Sequence, residues 1–192
     1  MSIATLLRHV GVNVPRYVAV NGSVVLGRPT ESSGLSLTPH RFHGGSLDDG
    51  AQATSPTDAW WDTDTERRQR DETVMAHYFP GFVVTPEDYG YVGILDSGRG
   101  RFEVLVRPRA NGRCPHITPV SPKRLGRTEG KWWRRAPHLY DSGDLCVAAP
   151  TDWNPDRDTT ATAIAWAAHW FASYTEWRMG GAWPTEGYGA VA

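Results

Sequence analysis

Residues 158–179 set the terms for the rest of the chain. Ala161, Ile164, Ala165, Ala168, Phe171, Ala172 and Thr175 recur at helical spacing, and Trp166, Trp170 and Trp177 form a second stripe on the same helix. A helix with two apolar stripes cannot lie on a surface, so much of it must be covered by other elements. Asp158 or Thr159 can cap its start, and Gly180-Gly181 ends it. Nine tryptophans in 192 residues point to a well-anchored core or an interaction face.

The covering elements are legible upstream. Tyr91–Leu95 and Arg101–Arg107 flank a Gly-containing loop at 96–100, and Phe102, Val104 and Val106 share one face by the period of two. His116–Val120 reads as a third strand, with Pro119 placing it at an edge or a strand end. Trp60-Trp61-Asp62 opens a helix that Asp62 or Thr63 can cap, and it runs to Tyr78 before Pro80-Gly81 stops it. Its Arg67, Arg68 and Arg70 read as a solvated face. Lys123–Arg135 reads as a basic, Gly-broken loop carrying Trp132-Trp133. The expected class is α+β.

The first 57 residues differ in character. Two β-branched runs around Asn21-Gly22 signal a hairpin. Residues 28–57 are rich in Pro, Gly, Ser, Thr and Asp and read as a linker. His40 and His43 lie in it, where two histidines without a third ligand read as a plain loop. Residues 185–192 read as a small-residue tail that frays.

Charge and cysteine usage exclude several functions. A net charge of −1 gives no electrostatic case for nucleic acid or an anionic membrane. No run is long enough to span a bilayer, and Met1–His9 lacks a secretory core, so a reducing cytoplasm is the expected location. Two cysteines, Cys114 and Cys146, make neither a disulfide framework nor a CxxC metal set. No cofactor is expected.

The chemistry concentrates in Pro137–Pro155. Cys146 follows the Gly143-Asp144 turn, His138 lies eight residues upstream, and Trp153 and Pro155 follow. A Cys between Leu145 and Val147 reads equally as a buried small hydrophobe or, with a histidine in loop reach, as a nucleophile. His138 alone reads as a structural histidine and gains meaning only with a reactive Cys146. Asp152, Asp156 and Asp158 read first as an exposed acidic loop, and Trp153 as a packing residue.

This segment resembles the active site of ubiquitin-conjugating enzymes, where a His-Pro-Asn triplet precedes a Gly turn and a Cys-Leu, and a Trp-x-Pro follows before a helix. Here Ala136-Pro137-His138 stands in place of the triplet, with His138 at the Asn position. The pattern His138-x-Tyr140-x-x-Gly143-x-Leu145-Cys146, then Asp152-Trp153, Trp166–Trp177 and Gly181-Ala182-Trp183-Pro184, is similar to stand-alone conjugating-enzyme-like proteins of bacterial type II CBASS anti-phage operons.

The resemblance implies a UBC-like fold over residues 58–184. It implies that Cys146 carries a protein C-terminus as a thioester and passes it to an amine, with His138 supporting the oxyanion or orienting the loop. It gives Asp152, Asp156 and Asp158 a second reading, as groups that help deprotonate an incoming lysine. It also implies a cGAS-like nucleotidyltransferase as partner, whose C-terminus is conjugated, and activation of that C-terminus from outside this chain, by a separate activating enzyme or by another route. The latter follows because the sequence holds no phosphate-cradling Gly-rich loop after a strand. The rival reading within the same fold is an inactive module that clamps its partner.

Overall fold

A computed structural model describes residues 16–18, 24–26, 40–42, 59–86, 88–184 and 187–188. Four strands form an antiparallel meander in the order β4 (Val83–Thr85), β5 (Gly90–Asp96), β6 (Arg101–Arg107) and β7 (His116–Ser121). Alternation sorts the side chains: Tyr91, Leu95, Phe102, Val104, Val106 and Ile117 face inward and are buried, while Arg101, Glu103 and Arg107 face solvent. Pro119 lies in β7, an edge of the sheet, where its missing N–H breaks no ladder bond.

The long helix α3 (Thr160–Gly180) lies against the inner face. The Phe102 ring stacks on Phe171 with centroids 4.0 Å apart. From Ala163 to Tyr174 every residue of α3 is buried, as two apolar stripes require. Part of the cover comes from an N-terminal hairpin, β1 (Arg16–Val18) and β2 (Val24–Leu26), which pair antiparallel and lie against α3. The turn at Asn21-Gly22 lies outside the described residues. A further pair joins β3 (His40–Arg41) to β10 (Gly187–Tyr188), linking stretches that read as linker and tail.

The first helix is two pieces, α1 (Trp60–Thr63) and α2 (Thr65–Tyr78). Asp64, not Asp62 or Thr63, is the cap of α2. Its carboxylate accepts from the Arg67 N–H at 2.9 Å, which satisfies an orphan donor of the first turn and separates the two helices. Arg68 and Arg70 are exposed as expected, but Arg67 is half-buried, lying over the Trp60 ring and donating to the Gly112 carbonyl at 3.3 Å. Of the other α2 residues only Asp71 and Met75 are buried.

Asp71 ties the two long helices together. Its Oδ1 accepts from the Thr160 N–H at 2.6 Å, at the very start of α3, and its Oδ2 accepts from the Tyr91 hydroxyl at 3.3 Å. Burial pushes the Asp71 carboxyl upward, against the bonds from Thr160 and Tyr91. Thr159 is the α3 cap, and Gly181, with φ 79°, closes the other end in the left-handed conformation. Among the described residues no helix is long and apolar enough to cross a membrane.

The basic segment also differs from its reading. Residues 126–135 form a hairpin, β8 (Gly126–Glu129) with β9 (Trp132–Arg135), rather than a loop. Trp132-Trp133-Arg134-Arg135 has no alternation of polarity, and all four residues are exposed, so no period of two marks the strand.

Candidate active site

The segment from His138 to Cys146 is a closed loop. Tyr140 N–H donates to the Asp144 carbonyl at 2.9 Å, and Gly143 N–H to the Tyr140 carbonyl at 2.8 Å. Gly143 has φ 94°, a conformation that side-chain-bearing residues rarely adopt, which explains a glycine there. Leu139 and Leu145 bridge antiparallel, and the Cys146 N–H donates to the His138 carbonyl at 3.0 Å. The eight-residue separation read from the sequence is thereby closed. His138 and Cys146 meet through the main chain.

Elements outside the loop hold it, among them β7 and α3. Leu145 N–H donates to the Ile117 carbonyl of β7 at 2.9 Å. The Trp170 indole N–H, from α3, donates to the His138 carbonyl at 2.9 Å, so that oxygen accepts from both Trp170 and Cys146. His138 has φ 55°, uncommon for a residue with a side chain, and the two bonds to its carbonyl hold it there. Its half-buried imidazole packs in an aromatic group, 5.6 Å from the Phe42 ring and 5.0 Å from Trp183 between centroids.

Asp144 anchors the turn electrostatically. Its carboxylate accepts from Ser142 Oγ at 3.1 Å and from Thr118 Oγ1, and His116 Nδ1 lies 3.3 Å away. Burial alone raises this carboxyl, but the adjacent His116 ring and the hydrogen bonds from Thr118 and Ser142 outweigh it and hold Asp144 down to about 2.

Beside the loop lies a cleft of about 430 Å³, lined among others by Cys114, Tyr140, Leu145, Val147 and Trp153. Both neighbours of Cys146 line it; Cys146 itself does not, and it is 0 % exposed. The buried-hydrophobe reading of Cys146 therefore describes its place in this structure. Chemistry at its sulfur requires covering atoms to move. Cys114, which drew no attention as a thiol in the sequence, is half-buried and lines the cleft.

Trp153 packs, as expected. Its indole N–H donates to the Gly112 carbonyl at 2.9 Å, and its ring meets Trp166 edge-on. Of the three acids, Asp156 is exposed, but Asp158 is 2 % exposed, pairs with Arg157 and accepts from the Asn154 N–H at 2.8 Å. Asp152 accepts from the Ala149 N–H at 3.2 Å. Asp152 and Asp158 thus fix the descent from the cleft to α3. The side chain of His40 and all of His43 lie outside the described residues, among which no cluster of three or more metal-binding side chains occurs.

Sequence reasoning missed Trp170 and Asp144 as parts of the site. Trp170 carried one signal, the polar edge of a residue placed on a buried stripe.

Residues 71–190 match a family model described as "Type II CBASS E2 protein". No curated protein and no solved structure matches the chain.

Proposed function

The chain belongs to the type II CBASS E2 family and has an E2-like role in CBASS anti-phage defence, and on that premise we propose that Cys146 is the acyl-carrying nucleophile of a protein-conjugation reaction. The Sγ thiolate attacks the activated C-terminal carbonyl carbon of a protein partner, and the activating group leaves. An amine nitrogen then attacks the thioester carbonyl, the C–S bond breaks, and the amine proton passes to solvent as the thiolate is released. The activation comes from a separate enzyme, and the conjugated chain is a cGAS-like nucleotidyltransferase. Residues 58–184 form the conjugating domain in this reading, with 1–57 an arm and 185–192 a tail.

One observation carries the proposal. The Gly143 turn returns Cys146 to His138 and fixes it between β7 and α3, with both of its neighbours on the wall of the cleft. Positioning of this kind supplies much of the rate in acyl transfer. His138 acts as a positioning residue through its carbonyl, and its imidazole supports the oxyanion once Phe42 or Trp183 shifts.

A second reading rests on the complete burial of Cys146. A module that clamps its partner without turnover needs no exposed sulfur. Co-expression with the genomic neighbours, for wild type and Cys146→Ala, separates the two. The transferase reading expects an adduct joined to a partner's C-terminus that thiol reductant releases and that Cys146→Ala lacks. Equal complex formation by both proteins, with no adduct in either, supports the clamp.

A further inference from the structure

The two edges of the β8–β9 hairpin are treated differently. Ala136 N–H donates to the Leu125 carbonyl at 3.1 Å, so residues 125 and 136 are a hydrogen-bonded pair. Antiparallel ladders alternate. The pairs 127–134 and 129–132 are therefore hydrogen-bonded as well, and in the pairs 126–135 and 128–133 the main-chain groups point away from the partner strand.

At Gly126 the outward groups are visible and occupied. Its N–H donates to the Tyr174 hydroxyl at 3.2 Å, and that hydroxyl lies 3.2 Å from its carbonyl oxygen. Arg127 adds a bond to the Trp177 carbonyl at 3.0 Å and lies over the Trp177 ring. At Gly126 and Arg127 the β8 edge is thus covered by α3.

Among the described residues no such cover lies on β9. By the same alternation Trp133 and Arg135 turn their N–H and C=O outward, and among the described residues no strand pairs with that edge. Trp132 is 80 % and Trp133 48 % exposed. An open edge carrying exposed tryptophans is a template for another chain, and proteins ordinarily blunt such edges.

The charge around it has one sign. Residues 123–135 hold Lys123, Arg124, Arg127, Lys131, Arg134 and Arg135 against the single carboxylate of Glu129. Glu129 is engaged by Arg127 and Arg134, and Arg135 by Asp141 and the Tyr140 carbonyl. Among the described residues no carboxylate pairs with Lys123, Arg124 or Lys131, and Arg124 lies over the Trp133 ring at 5.3 Å.

We infer that the outer edge of β9 is a docking site for an extended, acidic segment of a partner protein, which adds to the hairpin as a third strand. The main-chain groups of Trp133 and Arg135 supply the ladder, the tryptophans supply side-chain contact, and Lys123, Arg124 and Lys131 select acidic residues. A peptide completes such a ladder and a nucleic acid does not. The net charge of −1 likewise gives no field that draws a polyanion to the molecule as a whole. The site is independent of whether Cys146 turns over.

The test uses the full chain with a fluorescein-labelled peptide of alternating Glu and Val, a Lys-Val peptide and a labelled single-stranded oligonucleotide. The Glu-Val peptide should bind by fluorescence anisotropy, and the Lys-Val peptide at least about tenfold more weakly. Amide exchange should slow at Trp133 and Arg135 on binding while Trp132 and Arg134, already paired to β8, stay unchanged. Trp133→Pro, which removes one outward N–H, should lose about tenfold more affinity than Trp133→Ala. Where Trp133→Pro fails to fold, the exchange pattern of the wild type decides. The inference is overturned by equal binding of the two peptides, by unchanged exchange at Trp133 and Arg135, by preferential capture of the oligonucleotide, or by a dimer of this chain joined through β9.

Discussion

Two neighbouring stretches of the chain, 126–135 and 138–146, use the same device in opposite ways. Each is a tight antiparallel turn held to α3 through an aromatic side chain, Tyr174 for the first and Trp170 for the second. In the Cys146 loop the main-chain groups described above are consumed inside the molecule, and its thiol is covered. In the hairpin the β8 edge is engaged at Gly126, and among the described residues no strand pairs with the β9 edge. In the proposed readings, fixing a reacting atom costs exposure, whereas recognising another chain requires it, and adjacent turns would let each keep its own requirement.

The largest effect that would break this contrast is at Trp170. Trp170→Ala removes a fully buried ring and the donor to the His138 carbonyl, and should cost about 3–5 kcal/mol in urea unfolding. Amide exchange at Cys146 should rise well above the change at Trp132. A uniform rise across both turns would show that Trp170 supports the core and not the loop.

Asp144 gives an intermediate effect that sharpens the comparison. Its carboxyl is held down to about 2, below its unfolded value, so its contribution is complete above about pH 4 and is lost as pH falls through about 2. That contribution is roughly 2 kcal/mol. Melting temperatures measured from pH 5 to pH 2 should fall more steeply for wild type than for Asp144→Asn. Parallel curves would remove the electrostatic account of the turn.

The smallest effect is expected at Trp132. Although it is a large aromatic residue, its exposure means that Trp132→Ala should change unfolding free energy by less than about 0.5 kcal/mol. A larger loss would mean that the hairpin tip is packed in solution and its edge already occupied.

Legibility in the sequence follows the same division. Phe102, Val104 and Val106 announced their strand by a period of two, and α3 announced its burial by two stripes, because both patterns are local. The hairpin at 126–135 was not legible. Its anchor is Tyr174, 48 residues away, and Gly126 is small because the Trp133 ring lies over it. The division of the first helix was hidden for a similar reason: Asp62, Thr63 and Asp64 are all competent caps, and only the fold selects Asp64. At the site, Gly143 between His138 and Cys146 correctly implied a closing turn. Burial of the sulfur depends on packing between distant elements, and no spacing encodes it.

Trp170 and Tyr174 stand four residues apart on α3, their rings stacked 5.5 Å centroid to centroid. Four residues of α-helix rise about 6 Å, a little over one turn. One turn of one rod therefore serves as the common bearing for the arm that would greet a partner and for the loop that would react with it. A pull on the hairpin base would load the Tyr174 hydroxyl, one turn of helix from the Trp170 donor to the His138 carbonyl. Asp71 holds the start of the same rod through the Thr160 N–H.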